Sequence, residues 1–211
     1  LKPARPPGGG AGGPGRAPAG MGCCCAKSSS EVEGARLQSG GGRAPAHVIA
    51  KKVDQAKRTG VLALRECGIQ TLPPDAVSTA SDTIRTVDLS NNALKSLPES
   101  IRAWPGLQNL VCAGNGLTQL PASLGSLASL QKLVLSGNQL HVLPAGMSQL
   151  GNLRALQLDG NRLGPRLSVD VFAGALLSSL EELDLARNSL QEVPTSLGGV
   201  SSLVRLFLAR N

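Results

Sequence analysis

The sequence predicts an α/β solenoid: short parallel strands on one face, irregular or short helical segments on the other, and a helix closing the N-terminal end. Three observations carry this. The segments LALRECGI, VDLSNNAL, LVCAGNGL, LVLSGNQL, LQLDGNRL and LDLARNSL superpose. Asn92, Asn115, Asn138 and Asn161 follow one another at intervals of 23 residues, Asn188 comes after 27 and Asn211 after a further 23. The apolar residues around each asparagine keep one pattern, L-x-x-L-x-L-x-x-N-x-L-x-x-L-P, complete in Leu130, Leu133, Leu135, Asn138, Leu140, Leu143 and Pro144. A fixed period of this length marks units that cannot bury their apolar side alone and must stack.

Each part of the unit has a physical role. The L-x-L pair reads as a short strand with two side chains inward and the one between them outward. The asparagine follows where the chain bends inward. Its amide donates and accepts, so it can satisfy buried backbone groups of that bend and of the adjacent coil. Stacked, these residues are expected to form a ladder of Asn92, Asn115, Asn138, Asn161, Asn188 and Asn211. Cys67 heads it, 25 residues before Asn92. The pattern is that of the leucine-rich repeat, and it implies a curved horseshoe with the strands on its concave face.

Ahead of the repeats, Ile49, Val53 and Ala56 fall on one helical face, and Gly60 supplies a stop. Residues 46–60 therefore read as a capping helix that covers the first coil, and residues 61–211 as the repeats. Residues 1–20, in which sixteen of twenty are Gly, Pro or Ala, cannot supply a core and read as disordered. They are either untranslated region read through ahead of Met21 or the end of a longer natural segment. Residues 21–45 read as a flexible basic tether. At the other end, Asn211 stands at a ladder position with nothing after it to cover Leu203, Leu206 and Leu208, so the repeats are expected to be truncated there.

The 27-residue unit, GPRLSVDVFAGALLSS, lacks the Leu-Pro signature. Phe172 and Leu176, four apart, predict a short helix on the convex side, with Ser168 as its N-cap. It reads either as a tolerated longer loop or as a second contact site.

The backs LPESI, LPASL, LPAGM and VPTSL resemble those of cytosolic leucine-rich repeat proteins of the Ras-suppressor and Scribble-like type. AKRTGVLALRECGIQTLPPDA followed by IRTVDLSNNALKSLPESI resembles the leucine-rich repeat-containing protein 57 family. That family begins Met-Gly, then a short segment, a cap helix and a Thr-Gly-Val opening. The resemblance implies a fold and a start at Met21 but no catalytic activity and no substrate.

A start at Met21 would make Gly22 the N-terminus, with Cys23, Cys24 and Cys25 beside it. This composes a candidate acylation site: myristate on Gly22 and palmitate on the cysteines. Ala26 departs from the Ser or Thr that the myristoylation pattern prefers. One acyl chain holds a protein weakly, and a second chain or a basic segment stabilises the anchor.

The charge supports this reading. Residues 1–60 carry ten Lys and Arg against three Asp and Glu, whereas residues 61–211 carry eleven of each. The basic excess thus lies outside the repeats. This argues against nucleic acid as a partner and suits an anionic membrane surface. No run of about 18 apolar residues occurs, so no membrane-crossing helix is predicted. The five cysteines, Cys67 and Cys112 included, fit neither a disulfide framework nor a zinc site, which points to a reducing, cytoplasmic setting.

No catalytic constellation, metal site or cofactor site is visible. His47 lies in the cap helix, and His141 is expected at the surface. Cys112 and Trp104 hold leucine positions of their units and are expected in the core. Function is then expected on the outward side of the strands. Val111 and Val134 would form an apolar centre, with Lys132 and Gln157 beside them and Asp88, Asp159 and Asp184 as solvated recognition groups, arranged as an interface for a protein partner. The expected function is a non-catalytic scaffold in intracellular signalling, tethered to the cytosolic side of a membrane. Two alternatives stand beside it. One is the N-terminal fragment of a larger signalling enzyme, the other a soluble regulator of a phosphatase or GTPase.

Overall fold

A computed structural model describes residues 43–78 and 83–211 of the chain. Helix α1 (Ala46–Thr59) leads into seven three-residue strands: β1 (Val61–Ala63), β2 (Thr86–Asp88), β3 (Asn109–Val111), β4 (Lys132–Val134), β5 (Ala155–Gln157), β6 (Glu182–Asp184) and β7 (Arg205–Phe207). They form one parallel sheet in sequence order, with equivalent residues of successive units opposite one another: Val61 to Thr86, then Asn109, Lys132, Ala155, Glu182 and Arg205. The central residue of each strand from Leu62 to Leu183 is buried. The fold is the leucine-rich repeat solenoid.

Each coil returns through a short 3-10 turn on the far side of the core: Glu99–Ala103, Ala122–Ser126, Ala145–Gln149 and Thr195–Gly199. The first coil uses a brief helix instead, α2 (Pro74–Ser78). The proline of each Leu-Pro or Val-Pro back precedes its turn in extended conformation, so its fixed φ sets the entry to the turn. Two of these backs approach closely. A Cβ on Gly125 would stand 2.2 Å from the Gly146 carbonyl oxygen, and glycine is what permits that spacing.

The ladder is built from hydrogen bonds between coils. Asn138 is typical: its Oδ1 accepts the Leu117 N–H at 3.1 Å, and its Nδ2 donates to Cys112 O at 2.9 Å and Leu135 O at 2.8 Å. Asn115, Asn161, Asn188 and Asn211 repeat this with Leu94, Leu140, Leu163 and Leu190 as donors. Asn92 does more, accepting from both Cys67 N and Ile69 N. Cys67 is buried at the head of the ladder, with its thiol 3.4 Å from Arg65 O and accepting from Lys52 Nζ at 3.5 Å. Helix α1 buries Ile49, Val53 and Ala56 and stops at Gly60, whose φ of 70° is left-handed. At the other end Leu206 and Leu208 are exposed.

The 27-residue unit departs from expectation. One helix through Phe172 and Leu176 was predicted; two 3-10 turns form, Val169–Val171 and Gly174–Ser178. Ala173 is extended and Gly174 left-handed with φ 60°, which ends the first turn and sends Phe172 into the core. Ser168 caps the first turn by accepting from Asp170 N at 3.4 Å. Cys112 and Trp104 are fully buried and His141 is exposed.

Two stability measurements follow from this packing. Asn138→Ala strands two buried carbonyls and an amide and should cost about 1–3 kcal/mol in urea denaturation, whereas the exposed Gln139→Ala should stay within about 0.5 kcal/mol. Gly125→Ala should cost about 1–3 kcal/mol because its methyl meets backbone. Gly198→Ala, which meets nothing within 4 Å, should be neutral or stabilising by up to about 1 kcal/mol.

Candidate partner-binding face

The register of the sheet brings the outward residues of all units into columns. The first residue of each strand gives one column, and the third gives another: Ala63, Asp88, Val111, Val134, Gln157, Asp184 and Phe207. The strand residues expected to line the face stand in these two columns, and Asp159 stands two residues beyond β5. Their states differ from the expectation in two respects.

Val134 is not an exposed centre. It points outward yet is only 8% exposed. Val111 and Gln157 stand opposite it on the neighbouring strands. The accessible apolar surface is the half-buried Val111, with Ala113 two residues on.

The carboxylates have partners within the protein, Asp88 and Asp184 through one oxygen each. Asp88 Oδ1 accepts the Ser90 N–H and Asp184 Oδ1 the Ala186 N–H, each at 2.9 Å, so both brace the turn after their own strand. Asp159 is ion-paired with Arg187. Glu182, absent from the expected set of site residues, holds a network: it accepts from Gln157 Nε2 at 3.0 Å and pairs with Arg205 Nη2 at 2.6 Å. The Gln157 amide holds the Glu182 carboxyl below the ordinary glutamate range, Arg205 and Lys132 add to this, and burial opposes it. Lys132, in the middle of the face, is exposed and has no ion pair among the described residues.

A further column escaped the sequence reading. The residue before each ladder position is left-handed in every unit: Glu66, Asn91, Gly114, Gly137, Gly160, Arg187 and Arg210, with φ between 54° and 66°. The three inner units use glycine. The outer four place a charged or amide side chain there, at a conformational cost on the order of 1 kcal/mol each. The signal was present in the doublets NN, GN, GN, GN, RN and RN, but only the structure gives the second residue's neighbour its backbone state. Asn91 Nδ2 donates to Glu66 Oε1 at 3.1 Å, and Asn91 Oδ1 lies 2.4 Å from where a Gly114 Cβ would be.

Burial pushes the Cys112 thiol up, so it stays protonated. Among the described residues no cluster of three His, Cys, Asp or Glu could hold a metal ion. The candidate acylation site, Gly22 with Cys23, Cys24 and Cys25, lies outside the described residues.

The Glu182 network gives a pH dependence. A carboxyl whose folded pKa is depressed contributes stability above its unfolded pKa and loses it as pH falls through the folded value. Wild type should therefore exceed Glu182→Gln in stability near about pH 7, and the difference should shrink toward about pH 3. Paired urea titrations across that range check this.

Residues 105–163 match the family model described as Leucine rich repeat, and residues 179–200 match a second model, Leucine Rich Repeat. Plant intracellular Ras-group-related LRR protein 7 of Oryza sativa subsp. japonica is 32% identical over 94 residues, 44% of this chain and 29% of that protein. Protein 8 of the same group and organism is 29% identical over 85 residues, 40% of this chain and 21% of that protein. The chain thus spans less than a third of the length of these relatives. Among solved structures, a Leptospira interrogans LRR protein matches with a TM-score of 0.53 at 26% identity, over 71% of this chain and 50% of its own. The structure of the Drosophila Toll–Spatzle complex matches with a TM-score of 0.61 at 29% identity, over 71% of this chain and 21% of that one. Repeat register, asparagine ladder and these matches agree on a leucine-rich repeat fold.

Proposed function

We propose that this chain is a non-catalytic interaction module that binds a protein partner on the outward face of its sheet and serves as a scaffold in intracellular signalling. Leucine-rich repeat proteins generally mediate protein–protein interaction. The observation that carries the reading to this chain is the middle of the face: a half-buried Val111 and an exposed Lys132 without an ion pair among the described residues, with the pairs Asp159–Arg187 and Glu182–Arg205 around them. An apolar centre with a polar rim is how interfaces are composed.

The same proposal includes a tether. The basic excess of residues 1–60 and the sequence MGCCC at residues 21–25 support attachment to an anionic cytosolic membrane surface through acylated Gly22 and Cys23–Cys25. The resemblance of residues 55–101 to the leucine-rich repeat-containing protein 57 family supports a start at Met21.

Both parts can be tested in cells. A photo-cross-linking amino acid at Asn109, on the outward face, should yield a protein adduct, and one at the exposed Gln149 on the opposite side should not. Adducts from Gln149 alone would move the site off the sheet. Expressed from Met21, the protein should fractionate with membranes, and Gly22→Ala should release it; equal membrane content would remove the tether.

A further inference from the structure

We infer that the outward side of helix α1 lies on an anionic membrane surface, so that the solenoid stands with its first coil toward the bilayer. This rests on the tether reading above and deepens it. There, attachment runs through acylated Gly22 and Cys23–Cys25; here, the folded body adds a contact of its own, independent of acylation.

The helical period sets the geometry. Ile49, Val53 and Ala56 are buried on the first coil. His47, Lys51 and Arg58 recur at i, i+4 and i+11, which puts them within about 40° of one another on the opposite side of the helix. All three are exposed. The strands stack in order from β1, and α1 covers the first coil, so this stripe points away from the stacked repeats. From His47 to Arg58 it runs about 16 Å.

Charge is concentrated at the same place. Residues 43–60 hold five Lys and Arg against one acid, Asp54, whereas residues 1–42 hold five against two and residues 61–211 eleven against eleven. Asp54 is ion-paired with Lys57 at 2.8 Å, and the Arg58 charge also acts on it. Lys52 lies to one side of the stripe and donates to Cys67 Sγ at 3.5 Å. Arg43, Lys51 and Arg58 have no ion pair among the described residues. The cap end is thus the basic end of a solenoid whose repeats are neutral in sum.

The residues of the stripe select the occupant. His47, Lys51, Asp54, Gln55 and Arg58 include no apolar side chain, and a protein interface is built around an apolar centre. Residues 43–60 contain no Phe, Tyr or Trp on which a nucleic-acid base could stack. A layer of anionic headgroups asks only for Lys and Arg held close to it, each worth about fivefold in binding. The candidate acylation site lies ahead of this helix in the same chain.

The test uses the full chain made in bacteria, which add neither acyl group. The probes are vesicles of phosphatidylserine and phosphatidylcholine in equal parts, and vesicles of phosphatidylcholine alone. Co-sedimentation should show binding to the anionic vesicles only, weakening as salt rises. Lys51→Gln with Arg58→Gln should weaken it about twentyfold, and Asp54→Asn should tighten it about fivefold. Lys51→Arg with Arg58→Lys, which keeps both charges, should bind as wild type does. These side chains are exposed, so thermal melts should show every variant folded. Equal binding of wild type and the double Gln variant would assign the attraction to residues 1–42 and overturn the inference. So would equal binding to both kinds of vesicle, or tighter binding to poly-glutamate or duplex DNA than to vesicles at equal anionic charge. No acyl group is present in this experiment, so its failure leaves the acyl tether standing. Equal membrane content of Gly22→Ala in cells removes that tether and leaves this contact standing.

Discussion

The asparagine side-chain amide is the constraint on which the rest of this structure depends. Each coil must bend sharply after a strand of three residues, and the bend buries backbone groups that no sheet or helix satisfies. One amide supplies the missing donor and acceptor to its own coil and to the preceding one, as Asn138 does for Leu135 O, Cys112 O and Leu117 N. Coils joined this way cannot slip against one another without stranding several buried polar groups at once, each costly. That locks the strand register, and the register decides which outward side chains stand side by side.

The consequences run outward to function. Because equivalent positions pair exactly, a substitution in one unit acts on units before and after it. Asp159 in one coil meets Arg187 in the next, and Gln157 meets Glu182. Two acid–base pairs of the face are thereby closed within the protein, Asp159 with Arg187 and Glu182 with Arg205. Exposed pairs of this kind add little stability.

The N-terminal end and the back of the solenoid obey the same economy of unpaired surface. Helix α1 sets Ile49, Val53 and Ala56 on the first coil, where a further repeat would otherwise be needed. Glu99 reaches across to accept Ala122 N at 3.2 Å and Ser123 N at 3.0 Å, tying one back turn to the next where no strand can. Trp104 fills a leucine position completely but leaves its indole Nε1 without a partner among the described residues, so packing volume there outweighs a hydrogen bond.

The sequence by itself determined the strands, the inward leucines, the ladder from Cys67 to Asn211 and the cap helix. All of these follow from periodic apolar spacing and from the hydrogen-bonding capacity of single residue types, which are local properties. The tertiary structure alone decided the rest. Val134 alternates outward in any strand, and only the assembled sheet buries it. Asp88 and Asp184 look like solvated acids, and only the turn geometry brings Ser90 N and Ala186 N to them. The close approach of Gly125 to Gly146 and the pairing of Asp159 with Arg187 are contacts between residues about one repeat apart. Which of them form depends on how coils stack, and no single coil's sequence contains that information.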